Sequence, residues 1–402
     1  MTQLSFLPQL PLAASPLVLF ALLLLAGVIG GELVKRVLFT PRIVGYVLTG
    51  LVLGASGLNL LDSGLVKEAW IFVEIALGLI LYELGRRLDL AWLRRDPWLA
   101  ATGVLESALS FAFIFLALLF FDVGPLYAAM AAAIGIATSP AVVLVVAQEL
   151  KAEGQVTERT LNLVAMDSVI AFVVSTMLLA WIHLEYRAGW QVIVLHPVYL
   201  LAGSAILGYV ASFVALMLAR WLGKGAHAHF VMTLALVVAT IGAAQLLQLS
   251  VVLALLAFGV LSRNLDARHD LRPFEMGRIG QMFVVVLFVV SGATLRIEAL
   301  VTGGTLALVF VLARFAGKSL GVMSLTYFSG LRRGAAGQIC LALTPMSGLA
   351  IALVQGTARL YPEFGEILAS IVLSAVLLLE IIGPIAVQFA LKRAGEGREE
   401  EK

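Results

Sequence analysis

Apolar runs long enough to cross a bilayer recur along this chain from end to end, and that leaves few folds open. A helix spans the hydrocarbon layer with about 20 mostly apolar residues. Thirteen such segments are read at 15–36, 42–59, 66–85, 97–121, 125–149, 158–184, 196–222, 228–247, 249–263, 277–295, 299–327, 334–357 and 362–391. Only Gln245 to Ser250 separates the eighth from the ninth. Hydrophobic residues make up 61% of the 402 and charged ones 13%, against roughly 45–50% and 25% in soluble domains. The pattern predicts an all-α polytopic membrane protein with a core of helix packed on helix. The first run, Leu17–Val34, has no Lys or Arg before it. It lacks the basic start of a signal peptide and reads as the first transmembrane helix.

Lysine and arginine give an independent check of the segment count, because cytoplasmic loops concentrate them. The odd-numbered loops and the tail hold 21 of the 27, and the even-numbered loops only Lys67, Arg187, Arg296 and Arg359. The other two, Arg314 and Lys318, lie inside a segment. A wrong count would scramble this alternation. It places the N-terminus outside and the C-terminus in the cytoplasm. Residues 1–392 then form one membrane transport domain, and 393–402 a short solvated tail with no room for a soluble regulatory domain. The single Cys340 rules out a disulfide framework.

Two segments are interrupted. The fifth contains Thr138-Ser139-Pro140 and the twelfth Thr344-Pro345-Met346-Ser347. Proline in a helix interior removes a hydrogen bond and clashes with the previous turn. Such breaks are tolerated at membrane depth only where they are buried or line a cavity. They lie seven segments apart, so the two segments run in opposite directions. This predicts an inverted repeat, about 15–184 and 228–391, with 196–222 as linker. Paired breaks of this kind point to a transporter binding site.

Ionisable residues inside the apolar runs sharpen the reading. Asp167 lies mid-run in the sixth segment, where insertion costs about 2.5–3.5 kcal/mol. A carboxylate there can hold a monovalent cation or a proton, and competition for one site gives exchange. Arg314 and Lys318 lie four residues apart in the eleventh segment, on one helix face. Either could pair with Glu380 in the last segment. Glu83 lies near Arg86 and Arg87, which suggests a local ion pair, whereas Glu74 and Glu106 could line an aqueous funnel. The five histidines fall at or near segment ends, at 183, 196, 227, 229 and 269. No zinc-protease motif, cofactor motif, nucleotide site or nucleic-acid site is present.

Several stretches resemble one family in order along the chain. Pro41–Leu58 looks like the second helix of monovalent cation/proton antiporters of the CPA2 type. Leu81–Leu90 resembles their third-helix ending, Thr138-Ser139-Pro140-Ala141 their first unwound helix, and Phe288–Ala293 their tenth. The resemblance covers nearly the whole chain. It implies the NhaA-like antiporter fold, a homodimer with a scaffold and a six-helix core, and elevator-like movement in a bacterial inner membrane. It also implies that Asp167 is the ion-binding aspartate, with Thr138 and Ser139 beside it and Arg314 as the basic residue of the eleventh helix. Two departures stand out. Met166 occupies the position where such proteins carry a second acid or an asparagine, and Tyr46 stands where an acid is frequent. The expected activity is electroneutral exchange of Na⁺ or K⁺ for H⁺ through one carboxylate. An organic or anionic substrate held by Arg314 or Lys318, and a non-transporting sensor subunit, remain as alternatives.

Overall fold

Proline and glycine punctuate the apolar runs, and helices of the computed structural model start and stop at many of them. The structure describes residues 16–61, 63–185, 190–223, 225–266, 270–271 and 277–397. In chain order the helices are α1 (Pro16–Leu38), α2 (Arg42–Leu53), α3 (Ser63–Arg87), α4 (Leu90–Arg95), α5 (Pro97–Phe120), α6 (Pro125–Ile136), α7 (Pro140–Glu149) and α8 (Gln155–Glu185). They continue as α9 (Trp190–Leu222), α10 (Ala226–Leu246), α11 (Val251–Asn264), α12 (Gly277–Thr294), α13 (Ile297–Ser324), α14 (Arg333–Ala342), α15 (Gly348–Leu360) and α16 (Pro362–Arg393). No strand occurs among the described residues.

Each of the thirteen sequence segments appears as a helix or as a pair of half-helices. Eight spans among the described residues are long and apolar enough to cross a membrane. The protein is therefore integral to a membrane. Proline opens α5, α6, α7 and α16, where its missing N–H costs nothing and its fixed φ suits the first turn.

The structure departs from the sequence expectation at several points, and α9 begins at Trp190 rather than 196. α2 stops at Leu53 rather than 59, and the N–H groups of Leu60 and Leu61 fold back onto its last carbonyl. Gly54 lies against the backbone of Ala293, where a side chain would collide. α4 was not anticipated, because two turns between Arg87 and Pro97 are too short to show a period. The tail is less solvated than expected. Glu396 accepts 2.8 Å bonds from the N–H groups of Val156 and Thr157 and from the Thr157 hydroxyl. A carboxylate there matches the donors and the positive dipole end of α8. Arg187, Lys224, Arg268, Arg272, His269, Arg398 and Lys402 lie outside the described residues, as do the side chains of His183, His227 and Arg278.

The closest packing divides the helices into two groups. One joins α1, α2, α3, α9, α10, α11 and α12, and the other α5 to α8 with α13 to α16. The tightest approach in the second group is α13 on α5. Gly317 sits against Leu109 and Ser110, and Gly321 against the backbone of Glu106; a Cβ at Gly321 would overlap the Glu106 Cα. Small residues let two helix backbones come this close. The approach is what brings Lys318, between the two glycines, over the α5 surface.

Candidate functional site

Asp167 lies midway along α8 and is fully buried. Its Oδ2 accepts a 2.7 Å bond from the Thr138 hydroxyl and a 2.7 Å ion-paired bond from Lys318 Nζ. Its Oδ1 receives a longer 3.4 Å contact from the Ser107 hydroxyl. Lys318 Nζ also donates to Glu106 Oε2 at 2.8 Å. Glu106 and Lys318 are as buried as Asp167, at 0% and 1% exposed. The second Glu106 oxygen, Oε1, has no hydrogen-bond partner among the described residues. Three charged side chains from α5, α8 and α13 thus meet in a site closed to solvent.

The broken segments cross beside this cluster. α6 ends at Ile136 and α7 begins at Pro140; α14 ends at Ala342 and α15 begins at Gly348. The N–H of Ser139 donates to the Pro345 carbonyl at 2.9 Å, and the Ser139 and Ser347 hydroxyls hydrogen-bond each other. Ser139 also caps α7, accepting from the N–H of Val142.

Arg314 fastens the crossing. It donates to the carbonyls of Gly135 and Ala137 at 2.8 Å and of Thr344 at 2.7 Å, with weaker contacts to Pro345 and Thr138. Each helix C-terminus carries roughly half a negative charge. Two such ends, those of α6 and α14, are offset by one guanidinium. The planar fork suits this task, because its five donors can reach several acceptors at once.

A family model for the transmembrane sodium/hydrogen exchanger matches residues 18–393, from the first helix to the last. The chain belongs to the sodium/hydrogen exchanger family. This is a family of cation/proton antiporters and not of enzymes, and the match does not bear out the CPA2 type that the sequence motifs resemble. Two solved structures of the sodium proton antiporter MjNhaP1 from Methanocaldococcus jannaschii share its fold. The one at pH 8 has a TM-score of 0.66 and 17% identity, covering 94% of this chain and 95% of that one. The electron-microscopy structure has a TM-score of 0.70 and 18% identity, covering 95% and 98%. No curated protein matches.

In this exchanger the basic residues divide the work differently from the sequence expectation. Lys318, not Arg314, touches Asp167, because it sits one turn further along α13, opposite α5 and α8. Neither pairs with Glu380. That carboxylate lies on α16 and accepts a 2.6 Å bond from the Ser291 hydroxyl of α12. Met166 packs on α5 at Gly103, where a Cβ would collide with its methyl.

Glu106 does not line a funnel; it is sealed in the cluster. Sequence reading grouped it with Glu74, although its signal was the same as that of Asp167: an acid in the middle of a long apolar run. Ser107 was missed, since a serine in a membrane helix is common and gives no signal of its own. Glu74 does line a cavity, of about 360 Å³, with Phe172, Thr176, His196, Ser250 and Arg359, and its carboxylate accepts from Gln245. Glu83 accepts from Gln148 at 2.9 Å and lies 3.7 Å from Arg87. A second cavity, of about 410 Å³, is lined by Glu32, Arg42, Tyr46, Val145, Gln148 and Glu149.

Proposed function

We propose that this exchanger moves Na⁺ or K⁺ against H⁺, one for one and electroneutrally, with Asp167 as the carboxylate that cation and proton occupy in turn. The observation that carries this reading is the placement of Asp167: fully buried, beside the crossing of two broken helices, and hydrogen-bonded to Thr138 of the break. Hard monovalent cations favour oxygen ligands; Thr138 supplies a hydroxyl on the carboxylate, and Ser139 and Ser347 supply two more at the crossing. Arg314 and Lys318 are both engaged with protein groups. This favours a cationic cargo over an anionic one.

The two cavities are the approaches to the site in this reading. The one lined by Arg42 and Glu149 opens to the cytoplasm by the lysine and arginine rule, and the one lined by Glu74 and Arg359 opens outside. Between the outer cavity and Asp167 lies a small apolar cluster of Ile136, Ala137, Ala171 and Leu349. Apolar constrictions can gate by excluding water. The group of α5 to α8 and α13 to α16 is the moving core, and the other group is the scaffold. The two halves, 15–184 and 228–391, are inverted repeats linked by α9. Exposed apolar faces on α1 and α9 meet lipid and, in a homodimer, the second copy. The membrane is a bacterial inner membrane, with the N-terminus outside and the C-terminus in the cytoplasm.

The test is proton-coupled flux in proteoliposomes carrying a pH-sensitive dye, with Na⁺, K⁺ or Li⁺ added. A cation-dependent change in lumenal pH, lost in Asp167→Asn, is expected. Full activity in Asp167→Asn would sink the assignment of the site. No response of the wild type to any of the three ions would sink the antiport reading itself.

A further inference from the structure

We infer that Glu106 is the second ligand of the transported cation, and that it restores from α5 the acid that the α8 motif lacks at Met166. The inference rests on the antiport reading above. It comes from a charge count in a site closed to solvent.

Lys318 brings one positive charge to two carboxylates, at 2.8 Å from Glu106 and 2.7 Å from Asp167. Arg314 is the next charge out: its donors go to the carbonyls that end α6 and α14 and to Thr138, and it makes no direct bond to either carboxylate. Glu380 is held by Ser291 on a different helix pair. With all three directly bonded groups charged, the cluster itself carries one more negative charge than positive at 0–1% exposure, and Arg314 stands one hydroxyl away. A buried unpaired charge is strongly disfavoured. The paired carboxylates can therefore take one more positive charge, and a proton or a monovalent cation serves equally well.

Without Glu106 the demand disappears. Asp167 and Lys318 alone would form a neutral pair with no need of either ion. Asp167 is the family's ion-binding position, but in this chain Glu106 is what gives that position an open charge.

Geometry supports a ligand role as well. Glu106 Oε1 is buried and unpartnered among the described residues, while its other oxygen faces Lys318. The two carboxyl groups share Lys318 Nζ at 2.8 and 2.7 Å, so one proton or cation can be passed between them. One step therefore balances. The cation enters as the proton leaves, Lys318 keeps its charge, and the net charge of the site is unchanged.

A purely structural Glu106, present only to neutralise Lys318, would predict something else: altered stability but ordinary cation binding. The deciding measurement follows both binding and transport. Purified wild type, Glu106→Gln and Glu106→Asp are melted with and without saturating NaCl or KCl, choline chloride being the ionic-strength control. The same proteins are assayed for coupled flux. Wild type is expected to be stabilised by the transported cation. Glu106→Gln is expected to fold, lose that stabilisation and lose flux by at least about 100-fold. Glu106→Asp is expected to keep flux, with an apparent KM raised several-fold and a changed ratio among Li⁺, Na⁺ and K⁺. Cation stabilisation and KM in Glu106→Gln equal to wild type would overturn the inference, as would a Glu106→Asp protein with unchanged KM and selectivity. Failure of the wild type to respond to any cation would instead overturn the antiport reading on which the inference rests.

Discussion

Replacing Lys318 by Gln removes the one positive charge that Glu106 and Asp167 share, and the size of the penalty follows from the geometry. Both ion pairs are short, 2.8 and 2.7 Å, and all three side chains are 0–1% exposed. Breaking a buried pair by deleting one partner costs about 3–5 kcal/mol, because the remaining charge has no solvent. Two carboxylates would be left, so Lys318→Gln should lie at the upper end of that range. Glu106→Gln added to it removes one of the stranded charges and returns the cluster to the wild-type excess of one. The double variant should therefore be more stable than Lys318→Gln, with a coupling of about 1–3 kcal/mol, as expected for groups in direct contact. Thermal unfolding of the four detergent-purified proteins, in choline buffer without Na⁺ or K⁺, completes the cycle. Additive losses, within about 0.5 kcal/mol, would refute the charge count on which the reading of Glu106 depends.

Two further predictions test how the site is held. Arg314→Lys keeps the charge, but one ammonium cannot serve the three carbonyls bonded at 2.7–2.8 Å. Each buried carbonyl left without a donor costs about 1–3 kcal/mol, so the unfolding midpoint and the maximal flux should fall while the cation KM stays near wild type. An unchanged midpoint would show that the crossing does not depend on the fork. Gly321→Ala puts a methyl group into the Glu106 backbone and should cost about 1–3 kcal/mol as an overpacked contact. It should also weaken cation binding, whereas Gly304→Ala on the same helix, with open space around it, should do neither; equal behaviour of the two would refute the close-approach argument.

Much of the fold was legible because the membrane imposes a length on each segment. The alternation of basic residues fixed the segment count even where Gln245 to Ser250 alone separated two helices. The breaks at Pro140 and Pro345 were legible as a matched pair, each beside Thr or Ser in oppositely directed segments; proline alone was no guide, since Pro384 lies inside the unbroken α16. Partnerships across the core were harder to read. Arg314 and Lys318 share a helix face, and a sequence does not tell which of two neighbours one turn apart will face a carbonyl and which a carboxylate. That is decided by the glycines at 317 and 321, which bring α5 close to Lys318. Glu106 was read as a funnel residue because motif reading looks for the second acid beside Asp167. In the folded chain the acid comes from α5, 61 residues before Asp167.

The spread of the cluster over three distant helices also bears on how the protein is made. Glu106 and Asp167 enter the membrane with α5 and α8, while the lysine that pairs with both waits 212 and 151 residues downstream. Each acid costs about 2.5–3.5 kcal/mol on the insertion scale, and neither can be neutralised by Lys318 until α13 arrives. α13 in turn carries two positive charges that find carbonyls and carboxylates only in the nearly finished bundle. During synthesis the first half of the chain must therefore hold its acids protonated or near the lipid headgroups. Insertion of the eleventh segment is then the event that locks the assembled helices, which makes the nascent chain most vulnerable to quality control just before it.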